Sequence, residues 1–174
     1  MNRIIPTSRP CFTAANVIKE NLGDYVLEFP LASEVSRSDG RLLKVHLMSV
    51  RIVDTRLSQY GQRGLYDFVF GICNMEPGGT LPSDLDFSRQ AVQRFIRKTH
   101  RAEVLHSVCL AAKVLVEAAH PTYISMMTFD ADLPEKALHK YHRLASAFHA
   151  EGYACQRSVV EEDGRLQWLF ERAD

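Results

Sequence analysis

The chain has 174 residues, 46% of them hydrophobic and 24% charged, and its 21 Lys and Arg balance 21 Asp and Glu. That length suits one domain with a full core. A net charge of zero supplies no global field for nucleic acid or a membrane surface, so any basic site is local. The longest apolar run falls well short of the roughly 18 residues a spanning helix needs. Met1-Asn2-Arg3-Ile4-Ile5-Pro6 has no long apolar core behind its charge, so no secretory signal is read. Four cysteines, Cys11, Cys73, Cys109 and Cys155, are scattered without close pairs, as reduced thiols are. These features predict a soluble, cytoplasmic, single-domain protein.

An N-terminal arm over residues 1–23 carries a short helix, Thr13–Leu22, ended by Gly23. Tyr25–Phe29 reads as a strand stopped by Pro30. Asp39-Gly40 is a strong turn signal ahead of the β-branched and aliphatic stretch Leu42–Asp54, which predicts a hairpin. After the polar stretch Ser58–Gly64, residues Tyr66, Phe68 and Phe70 alternate with Asp67, Val69 and Gly71 in a strand over Leu65–Ile72. Residues 24–73 therefore read as antiparallel strands. Asn74–Asp86, with Pro77, Gly78, Gly79 and Pro82, is the strongest breaker cluster in the chain.

Residues 87–172 form a helix-strand-helix-hairpin half. On Arg89–Arg101 the cations Arg94, Arg97, Lys98 and Arg101 fall at i, i+3, i+4 and i+7, which lines one helical face. Ala91, Val92, Phe95 and Ile96 occupy another. From Val104 the apolar stripe Leu105, Val108, Ala112, Leu115 and Ala119 runs on the side that carried the charges. At about 100° per residue the two apolar faces are about half a turn out of phase. One straight helix cannot bury both, so a break is predicted near Thr99–Ala102.

Pro121 opens a strand over Tyr123–Phe129. A further helix is marked by Asp132 as N-cap, Pro134 near its first position, Glu135 in its first turn and Gly152 past its end. Ala137, Leu138, Tyr141, Leu144, Ala145 and Phe148 form its buried face. Tyr153–Val160 and Arg165–Arg172 make a hairpin through Glu161-Glu162-Asp163-Gly164, with Trp168 and Phe170 on one face. The order α-β-β-β-(α)α-β-α-β-β, with a β-α-β piece around Tyr123, implies a parallel or mixed pair in an otherwise antiparallel sheet. The predicted class is α+β, a mixed sheet with flanking helices.

Over about Tyr25 to Arg172 this order resembles the later two-thirds of the GNAT acetyltransferase superfamily and, more loosely, acetyltransferase-like proteins of phages and plasmids. The resemblance implies a GNAT-like single domain over 1–174. In that family the helix after the central strand opens with a Q/R-x-x-G-x-G/A loop whose amides hold the pyrophosphate of acyl-CoA. The matching stretch here is Arg97–Val104, reading RKTHRAEV, which holds no glycine. A late tyrosine often serves the family as proton donor a few residues before a Gly-aromatic pair, whereas Tyr141 precedes Gly152-Tyr153 by 11 residues.

Two functions follow. The first is a non-catalytic binding or regulatory protein on a degenerate acetyltransferase-like scaffold, using no cofactor. Its basic face, Arg94, Arg97, Lys98, His100 and Arg101, docks an acidic protein surface or another polyanion. The alternative is an acyl-CoA-dependent N-acyltransferase with a divergent pyrophosphate loop, where Arg97, Lys98, Arg101, Ala102 and Glu103 hold acetyl-CoA. The missing glycines, the short N-terminal half and the displaced tyrosine favour the first. Nucleic acid is disfavoured by the zero net charge, and no aromatics interleave with the cations.

No metal is expected. His139 and His142 stand at i, i+3 with His149 a heptad beyond His142, but no cysteine lies close in sequence to complete a zinc set. His100-x-x-Glu103-x-x-His106 lacks the four-residue histidine spacing of zinc proteases. Cys109 lies among apolar neighbours as a small hydrophobe, and Cys73, at a strand end, is the better placed for exposure. There is no G-x-S-x-G elbow, and no carboxylate pair stands out, so no catalytic residue is named.

Overall fold

The computed structural model describes residues 2–7, 18–19, 23–57, 63–79, 85–86 and 88–173. Its strands are β1 (Arg3–Pro6), β2 (Ile18–Lys19), β3 (Tyr25–Val35), β4 (Leu42–Asp54), β5 (Leu65–Met75), β6 (Tyr123–Met127), β7 (Tyr153–Val160) and β8 (Leu166–Arg172). Its α-helices are α1 (Arg89–Phe95), α2 (Arg101–Ala119) and α3 (Glu135–Ala150), with 3-10 turns at Thr55–Leu57 and Lys98–His100. One sheet takes the order β1-β3-β4-β5-β6-β8-β7, with β2 beside β3. β5 and β6 pair in parallel, while β1 with β3, β6 with β8 and β7 with β8 pair antiparallel. The α+β class and the parallel β5–β6 pair agree with the sequence reading.

Several local expectations change. Ile18 and Lys19, inside the predicted first helix, instead pair with Val26 and Tyr25, since an extended segment satisfies the edge of β3 as a helix cannot. The remainder of that predicted helix lies outside the described residues, as does most of the Ser58–Gly64 stretch. β3 does not stop at Pro30. Proline's φ near −65° suits extended backbone, and pairing of Ala32–Val35 with β1 carries the strand onward. Asp132 is not the N-cap of α3: its backbone turns to φ 47° and its N–H donates to the Gly164 carbonyl at 3.0 Å. Pro134 caps α3 instead, without a side-chain hydrogen bond.

Two compact units divide the chain. One comprises Met1–Asn16, Glu28–Ser49 and Phe70–Val108, the other Val17–Leu27, Val50–Val69 and Cys109–Asp174. In the first, Phe29, Leu31, Leu47, Ile72, Phe95, Ile96, Val104 and Val108 are buried. In the second, α3 lays Tyr141, Leu144 and Phe148 on the sheet. Phe148 meets Phe68 and Phe170 edge-on, each with ring centres at 5.2 Å, and Tyr141 stacks on Trp168 at 5.6 Å. These are the residues whose helical and alternating spacing marked them as apolar faces. No described helix is long and apolar enough to cross a membrane.

Candidate functional site

The cationic stretch sits where two helices meet. Ser88 starts α1 by accepting a hydrogen bond from the Ala91 amide at 3.1 Å, and its own N–H donates to Asp86 at 2.8 Å. α1 lasts seven residues and ends at Ile96, whose φ of −115° and ψ of 111° are extended. Arg97 is extended as well, the 3-10 turn Lys98–His100 follows, and α2 runs on from it. The predicted break is therefore real but falls at Ile96–Arg97, ahead of Thr99–Ala102. Phe95 and Ile96 are both buried, which fixes the end of α1, and buried Val104 and Val108 fix the start of α2.

The early break overturns the single basic helical face. Arg94 closes α1, Arg97 is in the link, Lys98 is in the 3-10 turn and Arg101 opens α2. What remains is a cationic turn: Arg94, Arg97, Lys98 and Arg101 are exposed and His100 is half-buried. Arg97 contributes no side-chain cap, and the first closing bond is His100 N–H to the Arg97 carbonyl at 2.9 Å. By helix geometry the amides leading that turn, those of Lys98 and Thr99, have no partner within it. Ala102 and Glu103 are exposed in the first turn of α2.

The end of α1 rests on a buried polar group that no sequence window revealed. His46 of β4 is 2% exposed and stacks on Phe95 with ring centres at 3.8 Å. The Arg94 guanidinium lies over the other ring of this stack, 5.2 Å from the Phe95 centre. His46 Nδ1 is 2.5 Å from Asn74 Oδ1, and Nε2 faces Glu34 Oε2 at 3.6 Å. Glu34 takes a hydrogen bond from the Asn2 side chain at 2.8 Å. That bond holds the Glu34 carboxyl below the usual range, with help from the charges of His46, Arg94 and Lys44 and against the effect of burial. Burial pushes the His46 imidazole down, and the contacts with Asn74 and Glu34 act the other way.

Glu34 also opens onto a cavity of about 660 Å³ that Asn2, Arg41, Lys44, Glu76 and Pro77 help to line. An ionised carboxylate facing a cavity, with an imidazole behind it, is an arrangement that can bind a cation or accept a proton. The one signal for it in the sequence is a histidine set between Val45 and Leu47 in β4.

The remaining candidates are structural. Tyr141 is fully buried, its hydroxyl accepts the Phe129 amide at 3.2 Å, and burial pushes it up to about 12. Cys73 is fully buried with its thiol toward Glu28 at 3.5 Å, contrary to the exposure expected at a strand end, because both faces of β5 are covered there. Cys109 is half-buried and pushed up by burial, Cys155 is exposed on β7, and Cys11 lies outside the described residues. His139, His142 and His149 are exposed, and among the described residues no three His, Cys, Asp or Glu come together to hold a metal.

No protein-family model and no curated protein matches this chain. Solved structures similar to it include a chimera of spermidine N-acetyltransferase SpeG from Vibrio cholerae and hSSAT, at 11% identity. The match covers 87% of this chain and 68% of that one with a TM-score of 0.41. A putative GnaT-family acetyltransferase from Bordetella pertussis matches at 12% identity, 85% and 66% coverage and a TM-score of 0.38. Nourseothricin acetyltransferase matches at 11% identity, 90% and 69% coverage and a TM-score of 0.35. All three TM-scores lie under 0.5, and the likeness extends to no residue or ligand.

Proposed function

We propose that the chain is an acyl-CoA-dependent N-acyltransferase whose donor diphosphate is taken at the cationic turn ahead of α2. The observation that carries this reading is a helix start without a side-chain cap, ringed by exposed Arg97, Lys98 and Arg101. Leading amides and the positive end of the helix favour an anion there. The residues present fit the group. Side chains from Arg97 to Glu103, half-buried His100 apart, stand in solvent, so their Cβ atoms are not pressed against other parts of the fold. Glu103 is the one carboxylate in that first turn and opposes an anion.

Acetyl-CoA would bring the activated thioester. The chain's own residues bind and orient: Arg97, Lys98 and Arg101 hold phosphate oxygens, and Glu34 receives an amine in its cavity and fixes its position. The test is thiol release from acetyl-CoA with a panel of primary amines. Turnover that is lost in Glu34→Gln, with donor binding retained, supports the reading, and absence of turnover with every amine counts against it.

The docking reading keeps one observation of its own, the lack of glycine in Arg97–Val104 beside four exposed cations. Failure to bind acetyl-CoA, together with loss of a co-purifying acidic partner in Arg94→Glu, would favour it.

A further inference from the structure

A second site is built on one face of the sheet in the unit that contains β6, β7, β8 and α3. Side chains alternate along strands, so Phe68, Ile124, Met126, Trp168 and Phe170 turn to the buried side. Leu65, Asp67, Ser125, Gln167 and Leu169 turn to the opposite side, where with Thr55, Arg157 and Val159 they line a cleft of about 280 Å³. The register places Asp67 opposite Ser125, Ser125 opposite Leu169, and Leu169 opposite Arg157. One row therefore crosses four strands as acid, hydroxyl, hydrocarbon and base.

Arg157 reaches this row only because β7 is irregular. Cys155 pairs with Phe170 and Arg157 with Leu169, so the register slips by one between them. In a regular strand Gln156 would stand opposite Leu169, and Arg157 would share the face of Cys155. A bulge re-aims a side chain in this way. At the other end Gln167 Nε2 donates to Ser125 Oγ at 3.1 Å, and Ser125 stands opposite Asp67 in the register. Asp67 is open to solvent at the cleft mouth, yet its carboxyl is crowded enough that burial pushes it up against the effect of Ser125. Among the described residues neither Asp67 nor Arg157 forms an ion pair.

We infer that this cleft binds a short linear ω-amino acid, with its ammonium on Asp67, its methylene chain over Leu169 and its carboxylate on Arg157. Three strand spacings put the two backbones about 14 Å apart, and side chains standing roughly perpendicular to the sheet keep about that separation. Charge-assisted hydrogen bonds of about 2.8 Å at each end leave a ligand span of roughly 8 to 9 Å, the reach of an extended chain of about six carbons. Leu65, beside Asp67 on β5, and Val159, beside Arg157 on β7, add apolar lining to the cleft. An α-amino acid holds its charges too close together to engage both ends, and an alkylamine or alkyl carboxylate engages only one. The inference is independent of the acyl-donor reading.

The experiment is calorimetric titration of the full chain with the series from glycine to 6-aminohexanoate, and with hexylamine and hexanoate. Saturable binding is expected for the five- and six-carbon members, with glycine and both single-ended ligands at least about tenfold weaker. Asp67→Asn, which keeps the side chain's shape at an exposed position, and Arg157→Gln, on an exposed strand position, should each weaken binding about tenfold or more while leaving the circular dichroism spectrum unchanged. Absence of saturable binding by any member at millimolar concentration overturns the inference, as does binding unaffected by both substitutions.

Discussion

Phe95→Ala tests whether the end of α1 is what keeps His46 buried and neutral. The ring is 9% exposed and lies 3.8 Å from the imidazole. Truncating a core phenylalanine costs about 3–5 kcal/mol, and a helix of seven residues has little stability of its own. Most of the loss should therefore appear as undocking of α1, with the sheet left standing. Removing the ring also lifts the main influence on His46, the burial that holds it below its ordinary 6.5.

The sign follows from proton uptake. In the wild type the unfolded chain protonates this histidine near pH 6.5 while the folded chain resists, so its contribution to stability is intact above that pH and declines below it. In the variant the folded imidazole moves back toward 6.5 and this slope flattens. An NMR titration of the His46 ring, with hydrogen exchange of the α1 amides, reads both effects. A titration midpoint identical in the two proteins, with unchanged α1 protection, would refute the reasoning.

Tyr141→Phe removes the hydroxyl that accepts the Phe129 amide inside the core. It should cost about 1–3 kcal/mol by chemical denaturation with the fold retained, and a neutral result would mean that this bond has no net worth. Asp67→Asn should raise the melting temperature at pH 7, because the crowded carboxyl is ionised there at a cost the amide does not carry. Folding raises that carboxyl's proton affinity, so the advantage should fade as pH falls toward the ordinary carboxylate range. An advantage unchanged between pH 7 and pH 3 would contradict the assignment.

The strands with clean alternation were legible before any coordinates, as were the two helices hidden in one basic and apolar stretch. The phase argument located the change of face but not the join. Whether the chain breaks at Ile96 or at Thr99 depends on Phe95 finding His46, a contact across 49 positions of sequence. β1 and β2 escaped notice because strands of four and two residues carry no period. Asp132 looked like a cap because its residue type favours caps, yet the loop from Gly164 claims its backbone. Of the candidate site, the cations were readable from composition and spacing, and the second site's Asp67 stood in plain alternation. Glu34, His46 and Asn74 come from three different strands, and Arg157 owes its direction to a one-residue slip. No local window holds either piece of information.

The central claim is that the turn from Arg97 to Arg101 holds a diphosphate-bearing acyl donor. Titration calorimetry with acetyl-CoA, on the wild type and on the double variant Arg97→Ala/Arg101→Ala, addresses it most directly. Saturable binding is predicted, weakened by added salt. The double substitution should reduce it about tenfold to thirtyfold, at about 1 kcal/mol for each exposed charge. Binding that ignores both substitutions and salt, or no saturation at millimolar acetyl-CoA, would contradict the account.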